Sequence, residues 1–142
     1  MHERGWVLVM AMLSSTGCRS APVPDAGLAL VPGAPPPCAE LGACERACDG
    51  GSGAACTLAG RDYEFAHGVA ADAPRALALY ERACRLGYVA GCYNVAVVLE
   101  RGKGVPRDLA RARELYAQVC RAGSSIACEA ADRLARAGDG GR

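Results

Sequence analysis

The chain has 142 residues, enough for one ordinary domain. Its 16 lysine and arginine residues nearly balance 15 aspartate and glutamate residues, which leaves a formal net charge of +1. A chain so close to neutral has no overall field that would attract nucleic acid or an anionic membrane, which argues against a nucleic-acid function. Nine cysteines are too many for an ordinary reduced cytosolic protein. They indicate either an oxidising compartment or a metal site.

Residues 1–17 are typical of an export signal peptide. The apolar run Trp6–Leu13 follows a short polar start and is too short to cross a bilayer as a helix. The next residues, Ser15–Cys18, resemble the lipobox of bacterial lipoproteins. This resemblance implies that Cys18 is lipidated, which predicts a location in the bacterial cell envelope with membrane contact only through the lipid anchor. Plain secretion and an apolar start without function are the alternatives.

The composition changes after Cys18 and again near the carboxyl terminus. Residues 19–37 carry six of the eight prolines, a composition that favours an extended, semi-rigid segment. The predicted organisation is therefore a signal peptide, a proline-rich tether over 18–37, a repeat domain over 38–137 and a disordered tail over 138–142.

An internal repeat with a period of 36 residues follows the tether. Residues 55–90 align with 91–126 at twelve identical positions out of thirty-six. Two series of cysteines share this period: Cys48, Cys84 and Cys120 form one, and Cys56, Cys92 and Cys128 form the other.

Each repeat has the pattern of a helix hairpin. In the second helix, Ala76, Leu79, Tyr80 and Ala83 form one apolar stripe, and the same stripe recurs 36 residues later. An aspartate and a glycine bound that helix in both repeats and are typical of an N-cap and a left-handed C-cap. The first helices are predicted near 53–66 and 90–101, and flanking helices near 39–49 and 125–137. Since one hairpin cannot bury its stripe alone, the sequence predicts an all-α fold, a short α/α solenoid of about two and a half repeats.

The residues of the second repeat carry a family resemblance. The segments 90–108 and 110–116 resemble the Sel-one-like repeat, a relative of the tetratricopeptide repeat, and the resemblance extends over 38–137. Cysteines at the repeat boundaries further resemble those of the secreted, cysteine-rich Hcp-like branch. This branch implies one disulfide in each repeat.

The positions of the cysteines are compatible with that implication. Cys84 lies near the end of one helix and Cys92 near the start of the next, so their Cα atoms can approach to disulfide distance. Zinc binding and free buried thiols are the alternatives. Cys38 and Cys44 cannot bridge within one helix, so Cys38 lies outside it, or the two are unpaired or link chains. Cys48 with Cys56 and Cys120 with Cys128 repeat the geometry of Cys84 with Cys92, and they are the other two predicted disulfides.

Catalysis remains open but is not favoured. Some cysteine-rich members of the family carry a β-lactamase or penicillin-binding label, yet Lys103 is the only lysine and no serine lies three residues before it. His67 is the only histidine after the signal peptide, and no metal or cofactor is predicted.

The resemblance implies a binding function instead. In tetratricopeptide relatives the first helices line a concave face that binds a protein or peptide. Asn94 is singled out because a side-chain amide can both donate to and accept from a peptide backbone. A hydrolase and a purely structural spacer are the alternatives. The predicted partner-binding residues are Thr57, Arg61, Glu64, Tyr93, Asn94, Val97, Glu100 and Arg101.

Overall fold

The computed structural model describes residues 38–139. The predicted signal peptide, the lipidation of Cys18 and the tether lie outside these residues. Within them the chain forms helices and no strands. The six helices are α1 (Leu41–Asp49), α2 (Gly53–Phe65), α3 (Ala73–Arg85), α4 (Val89–Arg101), α5 (Leu109–Arg121) and α6 (Ser125–Asp139).

The helices stack in chain order. Each packs mainly on the helix before it and the helix after it, and α2 also touches α4. The pairs α2/α3 and α4/α5 are two complete hairpins, with α1 and α6 flanking them, so the predicted α/α solenoid is confirmed. The last helix runs through Asp139, two residues into the segment predicted to be a disordered tail.

The second helices begin and end where the sequence predicts. The Asp72 Oδ1 accepts a hydrogen bond from the Arg75 backbone N–H at 2.9 Å, which satisfies one of the free amides that open α3. Asp108 caps α5 in the same way, at the same distance. Gly87 and Gly123 follow these helices with φ values of 80° and 103°, a conformation that glycine adopts without steric cost.

The core is built from small residues and a few tyrosines. Alanines at the helix contacts are fully buried, and Tyr80 is among the largest fully buried side chains. A Cβ placed on Gly60 would lie 2.7 Å from the Tyr80 ring, so only glycine lets the two helices meet there. With so few aromatics, the fold depends on this close approach of backbones to exclude water.

Four disulfides fasten the helices together. Three join the end of a second helix to the start of the next first helix, with Cα–Cα distances of 4.5–4.6 Å. Cys38 bonds to Cys44 because α1 begins only at Leu41, which leaves Cys38 outside the helix and 5.0 Å from its partner's Cα. The disulfide-stapled solenoid is thus confirmed. The three repeated pairs are Cys48–Cys56, Cys84–Cys92 and Cys120–Cys128.

Candidate functional site

A groove lies between the first helices α4 and α6. It consists of two adjoining recesses of about 520 and 450 Å³, which share Tyr93, Tyr116 and Arg133 in their walls. We call this surface the α4/α6 groove. Four of the predicted partner-binding residues line it: Tyr93, Val97, Glu100 and Arg101.

The aromatic part of the groove is formed by two tyrosines from adjacent helices. The rings of Tyr93 and Tyr116 meet edge to face with their centroids 5.6 Å apart. Tyr116 is almost fully buried, whereas Tyr93 is only partly covered. At the end of the groove Ile126 leaves 64% of its surface exposed. Tyr93 and Ile126 thus form a short apolar strip in a groove whose lining is otherwise mainly polar.

The acidic residue at the centre of the groove is held by its neighbours. The Tyr116 hydroxyl donates to Glu100 Oε2 at 2.8 Å, and the Arg133 Nη1 donates to Glu100 Oε1 at 2.5 Å. A second N–H of Arg133 reaches Oε2 at 3.3 Å. The bond from Arg133 is the main cause that lowers the pKa of Glu100, and the bond from Tyr116 adds to it. Glu100 is therefore an ionised acceptor and not a proton donor at neutral pH.

The same arrangement occurs one repeat earlier. The Tyr80 hydroxyl donates to Glu64 Oε2 at 2.8 Å, and the Arg101 guanidinium lies 3.6 Å from Glu64 Oε1. Burial is the main cause that raises the pKa of Tyr80, followed by the bond to Glu64. In both repeats a glutamate thus joins its own second helix to the next first helix. These internal partners hold the first helices in register, and a contact of Glu64 or Glu100 with a partner protein remains a prediction.

Tyr80 and Tyr116 were predicted in the apolar stripes of the second helices, but the bonds that their hydroxyls make were not predicted. The signal was present, because glutamate and tyrosine are 16 residues apart in both repeats. Arg133 was missed for a different reason. It aligns with Val97 in the preceding repeat, so the repeat pattern did not indicate a basic residue at this position.

The remaining predicted residues lie outside the α4/α6 groove. Thr57 donates its hydroxyl to the Gly53 carbonyl at 3.0 Å, one turn earlier in α2. Arg61 is exposed on the same helix, and Asn94 is half-buried on α4 next to Tyr93. The structure therefore does not gather all eight residues on one surface, and the role given to Asn94 stays a prediction.

A separate recess outside the groove, of about 540 Å³, lies where the ends of α2 and α4 meet the start of α3. Its walls include Phe65, which is 54% exposed, and Val98. Two acidic and two basic side chains lie at its edge, so their charges balance: Glu64, Asp72, Arg101 and Lys103. Across residues 38–139 no group of three or more histidine, cysteine, aspartate or glutamate side chains is placed to hold a metal ion.

Comparison with known families matches the two hairpins. The Sel1 repeat model matches residues 53–88, which hold α2 and α3, and residues 89–124, which hold α4 and α5. The chain belongs to the Sel1 repeat family. Sel1 repeat proteins generally act as scaffolds for protein interactions, so a protein partner is the kind of ligand that the family binds.

Solved structures show the same solenoid. Helicobacter pylori cysteine-rich protein B is 31% identical, with a TM-score of 0.59 over 63% of this chain and 67% of that one. A Sel1 repeat protein from Oxalobacter formigenes is 25% identical, with a TM-score of 0.56 over 61% of this chain and 36% of that one. A search of curated proteins gives no match.

The disulfides of this Sel1 repeat protein bear on its cellular location. Disulfides persist in oxidising compartments, so the four disulfides are those of an exported protein, and the similar Helicobacter protein is also cysteine rich. None of the helices in the described range is long and apolar enough to cross a membrane.

Proposed function

We propose that this Sel1 repeat protein is a non-catalytic binding module that takes a segment of another protein into the α4/α6 groove. The observation that carries the proposal is the groove itself. Packing of α4, α5 and α6 brings Tyr93, Val97 and Arg133 to one surface, although they come from separate helices or turns. A surface with aromatic, aliphatic and cationic side chains together is typical of protein recognition.

The state of the central acid favours binding over hydrolysis. A general acid or base works best when its pKa lies near the working pH. The pKa of Glu100 is instead lowered, further from neutral pH, because Arg133 and Tyr116 both stabilise its ionised form. Its bonds make it a fixed part of the groove wall.

The proposed location is the bacterial cell envelope. The resemblance of Ser15–Cys18 to a lipobox supports a lipid anchor at Cys18, and the proline-rich residues after it support a spacer between membrane and solenoid. Such a module would act as an anchored adaptor, with the groove held away from the lipid surface.

Photo-cross-linking in cells tests the groove. A photoreactive side chain replaces Val97 in the groove in one strain and Leu86 in another, where Leu86 is 46% exposed after α3. We expect a discrete protein cross-link from position 97 and none of the same mass from position 86.

The cross-link must also depend on the groove's own residues. Adding Tyr93→Ala should abolish it, because that ring forms the apolar strip, whereas Phe65→Ala should leave it unchanged. A cross-link that survives Tyr93→Ala, or that appears equally at position 86, would count against the α4/α6 groove as the binding surface.

A further inference from the structure

The α4/α6 groove carries an excess of positive charge. Within its walls only Glu100 and Glu129 are acidic. Four arginines lie around them: Arg101, Arg107, Arg133 and Arg136.

Two other recesses of the described residues have a smaller excess of basic side chains or none. The recess beside Phe65 has two acidic and two basic side chains. In the recess between α1 and α3, Glu45 binds Arg75 at 2.6 Å and Asp49 binds Arg82 at 2.6 Å. Arg85 is the one further base there. Of these recesses, the α4/α6 groove has the largest excess of basic lining residues, four arginines against two glutamates, which favours a negatively charged ligand.

The arginines keep donors available in spite of their internal bonds. A guanidinium has five N–H groups. Arg107 gives its Nε–H to the Glu100 carbonyl at 2.9 Å, and Arg133 gives two N–H groups to the Glu100 carboxylate. The side chains of Arg101 and Arg133 are still 61% and 56% exposed. Planar guanidinium groups pair well with carboxylates, since two parallel hydrogen bonds can form.

The size and apolar strip of the groove restrict the ligand further. The distance along α4 from Tyr93 to Arg101 is about 12 Å at 1.5 Å per residue. An extended peptide covers that length with about four residues. Side chains of an extended peptide alternate between faces, so a carboxylate and an apolar side chain can address different walls of the groove.

We propose that the α4/α6 groove binds a short, extended acidic peptide segment. Its carboxylates pair with Arg133 and Arg136 on α6, and its apolar side chains lie on Tyr93 and Ile126. This inference rests on the proposed binding function and specifies the chemistry of the partner. An anionic lipid surface would share the charge but not the alternation of charged and apolar groups.

Fluorescence anisotropy with purified, disulfide-bonded protein tests the inference. The probe is a fluorescein-labelled pentapeptide of alternating leucine and aspartate, and its control has asparagine in place of aspartate. We expect the aspartate peptide to bind at least tenfold more tightly, and its affinity to fall as salt screens the charges. Arg136→Gln should weaken binding about three- to fivefold, as expected for one partly exposed ion pair. Arg113→Gln, on the exposed face of α5 outside the groove, should change nothing.

Each other outcome overturns the inference. Equal binding of the two peptides, or no binding of either, would exclude recognition of acidic segments. An effect of Arg113→Gln as large as that of Arg136→Gln would assign the binding to general surface charge. Sedimentation with phosphatidylglycerol vesicles but not phosphatidylcholine vesicles, without peptide binding, would assign the arginines to a membrane. If the acidic peptide fails while the cross-link at Val97 persists, the binding function stands and only the partner chemistry is wrong.

Discussion

The packing of α3 against α4 predicts that Gly91→Ala destabilises the protein. A Cβ at position 91 would lie 2.5 Å from the Ala83 Cβ and 2.8 Å from the Cys84 backbone nitrogen. The second of these is backbone and cannot rotate away. The Cys84–Cys92 disulfide, with a Cα–Cα distance of 4.5 Å, also keeps the two helices from separating. The methyl group must therefore be accommodated by strain.

The expected size follows from two opposing effects. Overpacking of a tight contact costs about 1–3 kcal/mol, and contact with backbone places Gly91→Ala at about 3 kcal/mol. Replacing glycine by alanine within a helix regains about 1 kcal/mol. The net loss should be about 2 kcal/mol, which lowers the midpoint of urea unfolding by about 1 M for a domain of this size.

A matched glycine provides the control. Gly42 lies in α1, where a Cβ would come no closer than 3.4 Å to the flexible end of Arg46. Gly42→Ala should therefore leave the stability unchanged or raise it by up to about 1 kcal/mol. The equivalent residues of the other first helices are Ala55 and Ala127, so of these three helices only α4 has a glycine at this position. If Gly91→Ala unfolds at the parent's midpoint, the two helices are not packed as tightly as argued.

Four further predictions follow from particular residues. Ala66 ends α2 with a φ of 57°, so Ala66→Gly should stabilise the protein by about 1 kcal/mol in urea unfolding, and a loss would contradict a left-handed cap there. Replacing Cys84 and Cys92 together by alanine should cost about 2–3 kcal/mol in the same assay, and a loss below about 1 kcal/mol would contradict a stabilising crosslink. Burial, then the bond to Glu100, raises the pKa of Tyr116 above 10.0, so folding stability should fall above pH 10, where the unfolded chain loses this proton first. Tyr116→Phe should make that fall shallower by about 1.4 kcal/mol per pH unit, and an unchanged slope would refute the assignment. In cells, Cys18→Ala should abolish incorporation of labelled palmitate and release the protein from membranes, and continued labelling would exclude Cys18 as the anchor.

The helices were predictable because local residues determine their ends and their apolar faces. Asp72 and Gly87 bound α3 through bonds and backbone angles that these residue types favour wherever they occur. The same residue types recur 36 residues later, so the same helix ends were predicted for α5. The family resemblance added the disulfides, and the structure showed how Cys38 reaches Cys44 from outside α1.

The groove was less predictable because it depends on contacts between repeats. Tyr93 and Val97 were expected on a binding surface from the family resemblance, but Arg133 enters from the next first helix. Its position is set by how α6 packs on α5, and no local pattern encodes that. The ionisation of Glu100 likewise depends on a tyrosine 16 residues away and an arginine 33 residues away.

The two outermost helices differ from the inner hairpins at the contact where a first helix meets its second helix. In the first complete hairpin the Tyr80 ring lies against Gly60. One period earlier than this tyrosine is Cys44, whose side chain is bonded to Cys38 instead of filling a helix contact. Two periods after Gly60 is Asp132, which is exposed on α6. A tyrosine ring packed there would have to displace water from a carboxylate, which costs several kcal/mol unless the charge is paired. A further helix could not pack on α1 or α6 through a contact like that of Tyr80 with Gly60 without loss of stability. Solenoids generally need such polar outer faces at their ends to stay soluble.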